Sequence, residues 1–131
     1  MTKKLGIENK VTFYNRVEDR WQWYDKMDIF VSNSYSEGMQ VAPLEAAARG
    51  CYCLAHWWEG AEEIFDQDEL FLKDSDFIAK TLSYARASEE ERVRMRAPLK
   101  SFIQNRCDIR GISSQIQAII ERAAEERMSA A

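Results

Sequence analysis

Two short apolar runs do most to limit what this chain can become. DIFVSNS at 28–34 and CYCLAH at 51–56 are nearly continuous in apolar residues. That is the pattern of strands covered on both faces, not of strands with one wet side. Between them lies APLEAAARG, 42–50, a helix-forming stretch closed by Gly50, a residue suited to ending helices. Strand, helix and strand in that order imply a parallel pair with the helix as crossover. VTFYN, 11–15, is β-branched and aromatic between polar residues and reads as a further strand. RWQWYDKM, 20–27, sets Trp21, Tyr24 and Met27 on one helical face. AEEIF, 61–65, reads as a helical turn, and LFL, 70–72, as a short strand near the sheet edge. The expected fold class is α/β: a partial, doubly wound parallel sheet of three to four strands flanked by helices, with a helical C-terminal segment.

The change to all-helix falls near residue 73. A helix is expected over 75–87, with Asp and Ser as caps at its start. A second covers 88–106, where Ser88 and Glu91 have capping-box spacing and Pro98 is placed to kink or divide it. The third covers 109–128 and carries Ile109, Ile112, Ile116, Ile119 and Ile120 as an apolar stripe. The stripe suits core packing, or else docking onto a partner domain. The last residues, MSAA, are expected to fray. No repeat, low-complexity segment or linker interrupts the chain, which reads as one partial domain over 1–131, α/β at about 5–73 and helical at about 74–128.

A chain of 131 residues can bury one ordinary core. Its net charge of −4 argues against nucleic acid as a partner, since that needs a basic face to replace phosphate counterions. Arg92, Arg94 and Arg96, bracketed by Glu89, Glu90 and Glu91, read as a solvated helix surface. No apolar run is long enough to span a bilayer, and MTKKLGIENK has no apolar stretch after its basic residues, so it is no secretory signal. The expected location is cytoplasmic, with peripheral membrane contact still open. Cys51 and Cys53 alternate around Tyr52 and share one strand face, while Cys107 stands alone. Without C-x-x-C spacing they read as reduced, packed thiols, and neither a metal site nor a redox dithiol is expected.

In open parallel sheets, ligands bind beyond the C-terminal ends of the strands. Three loops leave strands there: Asn15–Asp19, Asn33–Val41 and His56–Gly60. The middle one opens SEGMQVAPLEAAARG, 36–50, with Glu37 and Glu45 eight positions apart. It runs straight into a helix, whose N-terminus offers free N–H groups to a phosphate, and Gly38 lets a ligand come close to the backbone. Were the intervening residues mostly helical, the two carboxylates would stand about 12 Å apart along the axis. That separation suits recognition of hydroxyls at two ends of a ligand better than shared acid–base work. The plain alternative has Glu37 capping the helix and Glu45 lying on its surface.

Taken in order, V-x-F-x-N-x-V at 11–17, D-I-F-V-S-N-S at 28–34, E-G-M-Q-V-A-P-L-E-A-A-A-R-G at 37–50 and G-A-E-E-I at 60–64 resemble the C-terminal, donor-binding domain of retaining GT-B glycosyltransferases. The similarity is greatest to the large family-four group and covers about residues 5–72. It implies a Rossmann-like sheet and transfer of a sugar from a nucleotide-diphosphate sugar to an acceptor with retention of configuration. It implies that Glu37 binds donor-sugar hydroxyls near the reacting carbon, as the catalytic residue. The N–H groups of Gly38, Met39 and Gln40 would face the donor phosphates or sugar. Glu45 would hold the ribose hydroxyls, Val41 and Leu44 would pack around ribose and base, and the loop beginning at Asn15 and Arg16 would lie near the base. No cofactor or bound metal is implied.

The sequence also departs from the pattern. The family usually has Gly at the place of Asn15, Pro at that of Asn33, Phe-Gly at that of Met39-Gln40 and Gly-Gly at that of Glu59-Gly60. Trp57 and Trp58 are unusual in their loop, either as core residues or as stacking platforms. His56, the single histidine, reads as structural. The acceptor domain and the basic pair that holds the diphosphate are expected outside this stretch. So the isolated chain is expected to be inactive, with a missing N-terminal half or another copy as its partner. The alternative is a non-catalytic binding or assembly module derived from the same fold. A receiver-like domain is disfavoured, because no acidic cluster follows the first strand.

Overall fold

The computed structural model describes residues 1–129. Three strands form one parallel sheet in the order β1 (Ile29–Ser32), β2 (Tyr52–His56), β3 (Leu70–Phe71). Ile29 to Ser32 pair in register with Tyr52 to Ala55, and Ala55 and His56 pair with Leu70 and Phe71. Helices α1 (Thr2–Leu5) and α2 (Arg20–Tyr24) precede the sheet, and α3 (Val41–Ala48) crosses from β1 to β2. A 3-10 turn, Ala61–Glu63, precedes β3, and α4 (Asp74–Arg86), α5 (Glu89–Arg106) and α6 (Ile109–Ser129) follow it. This is the expected partial α/β layer with a helical C-terminal segment.

The middle strand organises the core. Along β2 and the residue before it, Cys51, Cys53 and Ala55 join one buried cluster with Tyr24, Leu44, Ala46, Ala47, Trp58, Phe65 and Leu99. Tyr52 and Leu54 join the other with Phe71 and Tyr84. Small residues make the first layer close: Ala46 and Ala47 of α3 are fully buried and let the helix lie near the sheet. All three cysteines are free thiols, and burial pushes the Cys51 thiol up and the Cys53 thiol well up, which keeps them protonated packing groups. In the second layer Tyr52 stacks on Tyr84 with ring centroids 4.5 Å apart.

VTFYN is not a strand: 11–15 has no strand assignment and leaves Phe13 and Tyr14 exposed. Strand propensity cannot act without a ladder partner, and none lies beside it. DIFVSNS forms a strand, but β1 is a sheet edge and Val31 faces solvent, so it is not covered on both sides. Pro98 does not divide its helix; it sits exposed within the unbroken α5.

The capping box forms as expected, with Glu91 N–H donating to Ser88 Oγ and Ser88 N–H to Glu91 Oε2. The neighbouring arginines are not all solvated, however. Arg92 donates to the carbonyl oxygens of Tyr84 and Ala85, closing the C-terminus of α4. Arg96 reaches Gly50 O and Glu89.

The isoleucine stripe is not core. Ile109, Ile116, Ile119 and Ile120 are between 52% and 72% exposed. Helix α6 continues through Met128 and Ser129, where fraying was expected; residues 130–131 lie outside those described. Among the described residues no helix is long and apolar enough to cross a membrane.

Candidate functional site

Helix α3 starts at Val41, so residues 37–40 are loop and only the second half of the Glu37–Glu45 interval is helical. The 12 Å axial separation therefore does not apply. The N-cap is Gln40 in an extended conformation, without a side-chain cap, so Glu37 does not cap the helix. The N–H groups of the first turn are left without intrahelical acceptors, apart from Pro43, which has none to satisfy. At the other end, Gly50 takes φ 97°, its N–H donates to Ala47 O, and Cys51 N–H donates to Ala46 O. This paired closure is a Schellman motif.

Glu37, Gly38, Met39 and Val41 are exposed around this helix start. Leu44 is buried in the core. Gln40 is only 4% exposed, and neither its Nε2 nor its Oε1 has a hydrogen-bond partner. A buried amide left so is uncommon.

Glu45 is held from outside its own helix. Its Oε2 accepts from the Tyr24 hydroxyl at 3.3 Å, and its Oε1 lies 3.5 Å from Arg20 Nε. Its side chain is 17% exposed, against 61% for Arg20. Burial first, then the Glu45 charge and hydrogen bond, raise the Tyr24 hydroxyl above its ordinary range, so it stays a donor. A second clip, Arg49 to Asp25, ties the far end of α3 to the end of α2. The resulting hydrogen bond and charge hold the Asp25 carboxyl below its usual range.

Arg20 also connects Glu45 to a concavity of about 950 Å³ lined by Arg16, Val17, Glu18, Asp19, Arg20 and Trp21. Arg16 and Arg20 thus line the same concavity, and Arg20 also meets Glu45. Asn15 is exposed just before that segment, which is a loop following no strand. Arg20 and Tyr24 were absent from the sequence-based site. Tyr24 read only as one of three residues on a helical face, with Trp21 and Met27, and nothing singled out Arg20.

The loop after β1 is tied to the end of β2 by rings. Tyr35 and His56 have centroids 4.2 Å apart, and His56 meets Phe71 edge-on at 5.4 Å. His56 Nδ1 is 2.8 Å from Trp57 O, to which it donates. The two tryptophans that follow divide: Trp58 packs edge-on to Phe65 in the core, and Trp57 is 39% exposed. No group of His, Cys, Asp and Glu among the described residues could hold a metal ion.

A parallel three-stranded sheet with helices before, between and after its strands places the chain in the Rossmann-like α/β class, in which ligands generally bind beyond the C-terminal ends of the strands. Within that class, the family model of the glycosyl transferases group 1 matches residues 1–86. The chain belongs to that family, and its general role is glycosyl transfer. No curated protein and no solved structure matches the chain.

Proposed function

We propose that the chain is the donor-binding part of a retaining glycosyltransferase and takes a nucleotide-diphosphate sugar. The observation that carries this reading is Glu45 held by Tyr24 and Arg20 one turn into α3, behind the exposed Glu37–Met39 loop. A carboxylate fixed in this way keeps acceptor capacity for a pair of vicinal hydroxyls, as on ribose. Glu37 faces the donor sugar, and the N–H groups of Gly38, Met39 and Gln40 meet the diphosphate at the helix start. Val41 packs beside the ribose. Leu44 supports the site from the core, and Asn15 and Arg16 lie toward the base. The reaction needs no bound metal: the N–H groups at the helix start stabilise the leaving diphosphate.

The test is calorimetry with nucleotide-diphosphate sugars on the protein and on Glu45→Ala. Binding that weakens at least about tenfold in the variant supports the reading. No heat from either protein at millimolar donor defeats it.

A second reading, a binding or assembly module without its own turnover, is favoured by surfaces left uncovered. These are the open edge of β1, the exposed Phe13 and Tyr14, and the α6 isoleucines. In this reading transfer requires a second polypeptide that brings the acceptor. Transfer assayed with and without such a polypeptide separates the two: activity that appears on mixing excludes a purely structural role.

A further inference from the structure

We infer that the hollow beside Trp57 is a second ligand site, distinct from the Glu37–Glu45 loop, and that it takes a neutral sugar ring. Trp57 N–H donates to Phe71 O at 2.8 Å, so β3 fixes the backbone that carries the indole. Trp57 is 39% exposed, whereas the adjacent Trp58 is buried at 3%. Trp57 forms one wall of a concavity of about 590 Å³, a size that suits a small organic ligand. Leu72 adds apolar surface, and Glu62, Gln67 and Asp76 add polar groups.

The charges choose the ligand class. Lys80 is the one cation lining this hollow, and its Nζ already donates to the carbonyl oxygens of Gln67 and Leu70. Those bonds leave Lys80 charged but hold its ammonium against the backbone, and Glu62 and Asp76 outnumber it, so the lining carries a net negative charge that disfavours phosphate and hence a nucleotide, even though an indole stacks well on a base. A pyranose is neutral. One of its faces carries C–H groups that pack on an indole, and its rim carries hydroxyls that donate to carboxylates and exchange hydrogen bonds with an amide. Exposed Trp, two carboxylates and one amide together match that ligand.

The experiment is a two-dimensional ¹⁵N–¹H NMR titration of the whole protein with glucose, N-acetylglucosamine and maltose, and separately with uridine diphosphate. The Trp57 indole N–H signal is assigned by Trp57→Phe, which also controls for folding. With at least one of the sugars, the Trp57 indole and the Glu62 and Asp76 amides are expected to shift saturably. Trp57→Ala and the double variant Glu62→Gln, Asp76→Asn are each expected to weaken that binding at least about tenfold. The inference is overturned if none of the three sugars gives a saturable shift, or if the variants bind as well as the parent. It is equally overturned if uridine diphosphate moves the Trp57 signal and the sugars do not. Sugar shifts confined to residues 36–45 would also overturn it while leaving the donor-site reading intact.

Discussion

Tyr24 and Glu45, 21 positions apart, meet through a 3.3 Å hydrogen bond that joins the end of α2 to the middle of α3. The tyrosine is 5% exposed and packs edge-on against Phe30 of β1, with centroids 5.8 Å apart. A side chain fixed by the sheet therefore sets the position of a carboxylate that would otherwise swing on a helix surface. Arg20 approaches the other oxygen of the same carboxylate.

Tyr24→Phe removes this donor while keeping the ring. A net loss of about 1 kcal/mol in stability is expected, the worth of one ordinary hydrogen bond. If Glu45 holds donor hydroxyls, the variant also weakens nucleotide-sugar binding, but by less than Glu45→Ala, because the acceptor remains and only its positioning suffers. Denaturant unfolding and calorimetry on both variants check the order. Equal losses from the two would show that the hydroxyl itself touches the ligand.

Glu69 gives the chain an unusual pH dependence. It is 2% exposed, and burial pushes its carboxyl up to about 7, partly offset by backbone N–H groups of Asp66 and Leu99. The folded state thus binds a proton more tightly than the unfolded chain does, so this group's contribution to stability is fully present below about pH 4.5. That contribution is lost as pH rises toward 7 and stays lost above it, a difference on the order of 3 kcal/mol. Glu69→Gln keeps an acceptor for the Asp66 N–H and removes the titration. Urea unfolding between pH 4.5 and 8 should show a falling profile that the variant flattens; parallel profiles would refute the assignment.

What the sequence disclosed depends on how local each signal is. CYCLAH read correctly because both faces of β2 are packed, Cys53 and Ala55 into one cluster and Tyr52 and Leu54 into the other, and that leaves an unbroken apolar run. Ser88 and Glu91 read correctly because a capping box is complete within four residues. VTFYN misled because propensity says nothing of whether a pairing strand is present, and DIFVSNS because an apolar run does not reveal which strand is the edge. Arg92 and Arg96 looked solvated because Arg92 donates only to carbonyl oxygens and Arg96 binds the distant Gly50 O besides Glu89, and no side-chain pattern displays a carbonyl acceptor. The burial of Gln40 and Glu69 was not legible for a similar reason: it follows from packing in the folded chain, which no local pattern displays. The loop at 36–41 and the helix after it were legible, whereas Arg20 and Tyr24 belong beside Glu45 only once α2 has packed.

Gly50 tests the closure of α3. Its φ of 97° is disfavoured for a residue with a side chain, yet an added Cβ would meet nothing within 4 Å. Gly50→Ala therefore carries a conformational cost without a clash, expected at about 1–2 kcal/mol. A thermal shift upward would show that the turn relaxes to negative φ without losing the bonds from Gly50 and Cys51.

The α6 isoleucines separate stability from association. Ile116, Ile119 and Ile120 are more than half exposed, so replacing them with serine removes little buried area. Each single substitution should change unfolding stability by no more than about 0.5 kcal/mol. The triple variant Ile116→Ser, Ile119→Ser, Ile120→Ser should be more soluble, because it breaks a contiguous apolar stripe. If the stripe docks onto a second polypeptide, the same variant abolishes activity gained on mixing while leaving donor titrations on the chain unchanged. Losses above 2 kcal/mol from one serine would instead place the stripe in the fold's own core, and equilibrium unfolding of the three single variants decides between these outcomes.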